Sequence, residues 1–353
     1  MKKHLLFFFL FFSLAGFIRT YSQEASTQLE KEPLTKLFKS SELLTLNMQY
    51  SNRDLKNKTN DSTYIKTLLT YLNKDKHWDS LKLEIRSRGN FRKNNCYYTP
   101  VKLSIKKKDA KSTLFKGNKK LKLVMPCKTD KFAHDYILKE YLAYKFYEII
   151  SPYSFSTRLV DLNFDEIRGK KIRNHQIRAF LVEDDKNVAK RAGGKILESK
   201  VHPLEQDAQN CVRHDFFQYM IGNIDFSSTF QHNAELLYVE GKIFPVPYDF
   251  DMSGLVNTNY SDMLAPQLAK MNMKSVTTRN YRGFVHHIDI FKSVREEYLS
   301  KKQEILNSID AVAPYFKSKN QVDEVEAYIR SFYKILENDS EFIDRIVTKA
   351  RTN

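Results

Sequence analysis

The sequence predicts an α+β fold of two lobes, a small antiparallel sheet with one helix followed by a mainly helical lobe. Three observations lead there. Runs of period two cluster between residues 81 and 185. A single long helical run, "HDYILKEYLAYKFYEII", interrupts them. Beyond Glu183 the apolar spacing turns helical and stays so almost to the end.

In order, "LKLEIRSR" (81–88) alternates as a first strand and ends at the Gly89-Asn90 turn. "YYTPVKLSI", Tyr97 to Ile105, is a second strand, and "KLKLVMP" a third that Pro126 stops. In the helix that follows, Ile137, Tyr141 and Tyr144 recur at helical spacing and Asp135 sits in the first turn. Ser151-Pro152 breaks it. "FSTRLVDLNF" and "QIRAFLVEDD" read as two further strands about a Gly169 turn. A short hinge at Val182 to Asp185 separates the lobes, so the expected divisions are 81–185 and 186–353. The second lobe opens on the helix "EQDAQNCVRHDFFQYMIGN", continues as a hairpin turning at Glu240-Gly241, and closes on amphipathic helices from Phe284 onward. The polar stretch 23–80 reads as a partly ordered extension.

At the N-terminus, Lys2 and Lys3 precede the apolar run Leu5 to Ile18, and small residues follow to Ser22. That is the pattern of a signal peptide over residues 1–22, and it is short for a membrane span. An exported chain is expected, periplasmic, outer-membrane-associated or secreted. Loss of Lys2, Lys3 and Arg19 would lower the formal net charge from +16 to +13, still strongly basic. Such a chain attracts phosphates or an anionic envelope surface. No specific nucleic-acid motif is present, and Lys107, Lys108, Lys111, Lys119 and Lys120 read as a solvated basic region. Cys96, Cys127 and Cys211 lack metal-ligand spacing, which disfavours zinc; Cys96 with Cys127 is the first pair to test for a disulfide.

The stretch "IGNIDFSSTFQHNAELLYVEGKIFPVPYDFD" (221–251) carries the chemistry. Acidic groups gathered in a fold repel one another, so such a set points to a cation or a transferable proton. Asp225 follows a helix and the Gly222-Asn223 turn, where a carboxylate can meet an attacking hydroxyl. Asn233, Asp249 and Asp251 are candidate oxygen ligands for Mg2+ or Mn2+. Taken singly, Asp225 is a cap or loop residue and Asn233 a turn former. His232, His286 and His287 read as packed or hydrogen-bonded side chains. Arg279 and Arg282 read as residues that pin the acidic hairpin to the helical lobe.

The set D-x7-N-x15-D-x-D, with "IRSRGNFRK" and "KLKLVMP" upstream, resembles the CotH-like and more distantly the HipA-like atypical protein kinases. "LFKGNKKLKLV", "KEYLAYKFY", "PYDFDMSGLVN" and "RNYRGF" are similar to a family of uncharacterised exported bacterial proteins. The kinase resemblance implies a two-lobed kinase-like fold, ATP as phosphoryl donor, and a Ser, Thr or Tyr hydroxyl of an unidentified protein as acceptor. It implies Asp225 as catalytic carboxylate, Asn233 and Asp249 as metal ligands, and Asp251 assisting. It also implies a phosphate-gripping Lys122 paired with Glu140, with Lys102 and Arg88 as rival cations, and a hinge at Glu183 and Asp184 that meets adenine through backbone groups. Two departures stand out: no GxGxxG covers the phosphates, and Tyr248 replaces the usual Trp beside the metal Asp. Two other functions fit the same residues, a nucleotide- or phospholigand-binding module without catalysis and a basic envelope-associated binding protein. ATP is scarce outside the inner membrane, which sets export against kinase activity.

Overall fold

Apolar and polar residues alternate over seven segments of the first half of the chain, and the seven strands close on one another. The computed structural model describes residues 32–352, so the signal-peptide expectation for residues 1–22 lies outside the described residues. The first strands are β1 (Leu44–Tyr50), β2 (Ile65–Leu72), β3 (Trp78–Ser87), β4 (Val101–Ser104) and β5 (Lys120–Val124). Between them stand the short helices α1 (Asn52–Lys58), α2 (Asn90–Asn95) and α3 (Lys107–Ala110). The long helix α4 (Ala133–Ile150) precedes the hairpin β6 (Thr157–Arg168) and β7 (Lys171–Val182).

These strands form a closed barrel in the order β1-β2-β3-β4-β5-β7-β6. All pairings are antiparallel except β1 with β6, which run parallel from Leu44↔Val160 to Tyr50↔Glu166. This overturns the expected kinase-like two-lobed fold with a small antiparallel sheet. The stretch 23–80 contributes β1, β2 and the start of β3 rather than only a loose extension. Closure follows from burial: Leu46, Leu69, Ile85, Leu103, Leu121 and Leu181 are each wholly buried in the barrel interior. Each such side chain stabilises the fold by about 1.5–3 kcal/mol.

The chain then forms α5 (Asp185–Ala192), β8 (Lys195–Leu197), α6 (Ala208–Ile221), β9 (Ala234–Val239) and β10 (Lys242–Pro247). The expected β9–β10 hairpin is present, turning on Glu240 and Gly241, both at positive φ, and β8 adds a third strand. The remaining helices are α7 (Ala265–Lys270), α8 (Ile288–Ser300), α9 (Lys302–Val312), α10 (Lys319–Glu337) and α11 (Asp339–Arg345). α4 belongs to their core: Tyr147 meets Phe217 at 4.7 Å and Tyr144 meets Phe250 at 4.6 Å between ring centroids. The same helix also covers β7, where Tyr141 and Tyr144 meet Phe180. Cys96 and Cys127 form a disulfide, and Cys211 is free and buried. Among the described residues, no helix is long and apolar enough to cross a membrane.

Candidate functional site

Helix α6 starts on Asp207, whose side chain accepts from the Asn210 amide at 3.1 Å, and stops at Gly222 in the left-handed region. A Cβ at Gly222 would lie 2.1 Å from the Tyr328 hydroxyl, so no larger residue fits there unchanged. Buried Asn223 then builds the turn: its Nδ2 donates to Gln218 Oε1 at 2.9 Å and its Oδ1 accepts from the Asp225 amide at 2.9 Å. Arg282 donates to the carbonyls of Ile224 and Phe226, on either side of Asp225. Arg279 ties the end of α6 to α10 through the Met220 carbonyl and Ser331. Both arginines therefore pin, though what they hold is the Asp225 loop and the end of α6 rather than the acidic hairpin.

Asp225 meets its neighbours closely. His232 Nε2 lies 3.0 Å from Oδ1, and Asn233 Nδ2 donates to Oδ2 at 3.2 Å and to the Asp225 carbonyl at 2.7 Å. The hairpin returns to this point because the Tyr248 amide donates to the Asn233 carbonyl at 3.0 Å. Asn233 and Asp249 both hold left-handed backbone, φ 52° and 63°. Such conformations cost energy for residues other than glycine, least for Asn and Asp, and they concentrate at functional positions. The Asp249 amide donates to the Tyr144 hydroxyl at 2.9 Å, while no side-chain hydrogen bond reaches its carboxylate among the described residues. Asp251 is buried, accepts from the Tyr260 hydroxyl at 2.9 Å and lies 3.9 Å from Arg92 Nη1.

One cavity of about 470 Å³ is lined by Arg88, Arg92, Asp225, Asn233, Asp249 and Asp251. The residues of the acidic motif thus converge. Glu140, 2% exposed on α4, lines a second, small pocket together with Arg92 and Asp251. Four carboxylates, Asp225, Asp249, Asp251 and Glu140, act on one another against two guanidinium groups, Arg88 and Arg92. The imbalance has a visible effect. Burial first, then Asp249, pushes the Asp251 carboxyl up to about 6. Burial and then Asp251 hold the Glu140 carboxyl well above the usual range.

Other expected contacts are absent. Among the described ion pairs none joins Lys122 to Glu140, so that pairing is corrected. The burial pattern of β5 turns Leu121 and Leu123 inward and Lys122 outward. There its Nζ lies 4.0 Å from the centroid of the Tyr248 ring. Burial, then Arg88, lowers the Lys122 ammonium to about 8. Lys102 stands beside it in register on β4. Of Lys122, Lys102 and Arg88, only Arg88 lines the cavity. Glu183 is spent on structure: its carboxylate binds Arg191 at 2.9 Å, and its amide donates to the Ser156 carbonyl at 2.9 Å. Asp184 caps α5 at the Lys186 amide, and burial, then Asp185, raises it to about 6. The hinge role assigned to these two is therefore not what their contacts provide.

Sequence reasoning missed Arg92 and Tyr260. Arg92 was visible in "RGNFRK", one helical turn after Arg88, whereas nothing marked Tyr260. Arg92 is 8% exposed, donates from Nη2 to the Met125 carbonyl, and leaves Nε and Nη1 without hydrogen-bond partners.

Among the described residues, no group of three or more His, Cys, Asp or Glu side chains could hold a metal ion. Mg2+ bound with phosphates needs only one or two protein carboxylates and otherwise water. Asp249, with its open carboxylate, and the Asn233 amide oxygen fit that demand. Asp251 does not, because Tyr260 and Arg92 already engage it. No protein-family model matches the chain, and a search of curated proteins finds no match to it.

Proposed function

We propose that this cleft binds ATP with Mg2+ or Mn2+ and transfers the terminal phosphoryl group to a hydroxyl of a protein. The observation that supports this is the meeting of Asp225, Asn233 and Asp249 with Arg88 in one cavity. Asp225 accepts the proton of the attacking hydroxyl, with His232 beside it as a second proton carrier. The acceptor oxygen bonds to phosphorus as the bond to the bridging oxygen breaks, and ADP leaves. Arg88, which lines the cavity, holds the phosphate oxygens, and Arg92 beside Asp251 adds positive charge. Asp249 and Asn233 would hold the cation, which would spread the negative charge of the phosphates. Asp251 and Glu140 act at a distance: their carboxyls, raised by burial and by one another, ionise more readily beside a cation and so favour its binding.

One observation favours binding without transfer. Both oxygens of Asp225 are already engaged, by His232 and Asn233, which lessens its readiness to take a proton. Incubation of the purified chain with γ-labelled ATP, Mn2+ and a mixture of exported proteins separates the two. Label transferred by the wild type and not by Asp225→Asn supports catalysis. Binding of labelled ATP with no transfer by either form selects the binding module, and neither binding nor transfer removes both.

A further inference from the structure

The β6–β7 hairpin projects at one end of the barrel, and residues 167–174 are exposed without interruption. Its tip reads Ile167-Arg168-Gly169-Lys170-Lys171-Ile172-Arg173. Ile167 and Ile172 oppose each other in the ladder and are 36% and 55% exposed. Single exposed apolar residues are ordinary, but a paired set on a projecting tip among cations is not. Helix α1 stands close by with Arg53 and Lys58, and an open cavity of about 740 Å³ between the two elements is lined by Arg53, Tyr97 and Arg168.

The carboxylates at this end are already engaged. Glu166 receives Arg168 at 2.9 Å, the Tyr97 hydroxyl at 2.9 Å and His175 at 3.1 Å. Asp54 pairs with Lys58 at 3.1 Å, and Asp165 accepts from Asn174 at 2.6 Å. Arg53, Lys170, Lys171 and Arg173, by contrast, make no ion pair among the described residues. Cations left without counter-charge around an apolar tip match an anionic lipid headgroup layer, where the cations meet phosphate and the apolar pair enters the boundary below it. Single-stranded nucleic acid would be expected to meet stacking aromatics, and the exposed run 167–174 contains none.

We propose that this end of the barrel docks on the anionic phospholipid headgroups of a bilayer, through Arg53, Lys170, Lys171 and Arg173, with Ile167 and Ile172 entering the headgroup boundary. The surface is independent of the cleft and of the reaction proposed there. The test is co-sedimentation of the purified chain with phosphatidylcholine vesicles, with and without phosphatidylglycerol, all forms sharing the same N-terminus. Wild type is expected to bind the phosphatidylglycerol vesicles and to leave them as salt rises. K170E/K171E is expected to bind at least about tenfold more weakly, since each lysine contributes roughly fivefold near such a surface. Ile172→Ser is expected to weaken the binding that survives at high salt. Far-UV circular dichroism reports whether each variant is folded. Equal binding to both kinds of vesicle, or undiminished binding by the folded K170E/K171E variant, would overturn the proposal. So would capture of an oligonucleotide in preference to vesicles.

Discussion

Glu166 and Glu140 are both buried glutamates, 5% and 2% exposed, and they live in opposite circumstances. Around Glu166, burial works against the charge, but hydrogen bonds from Arg168, Tyr97 and His175 more than offset it and hold the carboxyl below its usual range. Around Glu140, burial and Asp251 together drive the carboxyl well above it, and no side-chain hydrogen bond reaches it among the described residues. One cluster is complete within the chain. The other is not: its carboxyls repel one another with only two guanidinium groups to offset them. A fold tolerates such an imbalance most readily where a ligand removes it.

The largest way to sharpen this contrast is Asp249→Asn, which takes away the one cavity carboxylate without a side-chain partner. Phosphoryl transfer, measured with labelled ATP, is expected to fall about a thousandfold, while the barrel-end cluster is untouched. Next comes Asp251→Asn without added metal. A carboxyl raised in the folded state destabilises progressively as pH climbs from about 4 through about 6. Urea unfolding should therefore show the variant gaining on wild type by up to about 3 kcal/mol between pH 4 and pH 8. The absence of such a gain would mean that Arg92 and Tyr260 already satisfy Asp251.

Glu166→Gln should do the reverse. Its carboxyl is lowered in the folded state, so its contribution is present above the ordinary carboxyl range and is lost as pH falls. The expected cost is about 2 kcal/mol at pH 7, shrinking at acid pH. Smallest is Tyr97→Phe, which deletes one of the three donors to Glu166 and should cost about 1 kcal/mol in the same measurement. A larger loss there than in Glu166→Gln would show that the Tyr97 hydroxyl does more than serve Glu166, through the bond it accepts from Arg168.

The acidic hairpin was legible because local chemistry fixes it. Gly222-Asn223 and Glu240-Gly241 turn the backbone in ways few other pairs allow, and the Asp and Asn between them follow. The barrel was not legible. β1 and β2 lie in a polar stretch where only every second residue is buried, and β1 finds its parallel partner β6 more than a hundred residues away. Helix α4 yielded Glu140 as a site residue but not its surroundings, for a different reason. It is buried on nearly every side, from Ile137 to Ile150, so periodicity could not say which way Glu140 faces. Lys122 was placed on the correct strand, but ruling out its pairing with Glu140 needed the closed barrel, whose register sends it toward Tyr248.

The most direct test is thermal unfolding of wild type and Asp249→Asn, each with and without Mn2+ and ATP at saturating concentration near neutral pH. A cleft that needs cation and phosphate together predicts a rise of about 5 °C for wild type with both present. The same additions should leave Asp249→Asn unmoved. Identical midpoints for wild type under all conditions, or an equal rise in the variant, would contradict the claim that these carboxylates gather to hold a cation.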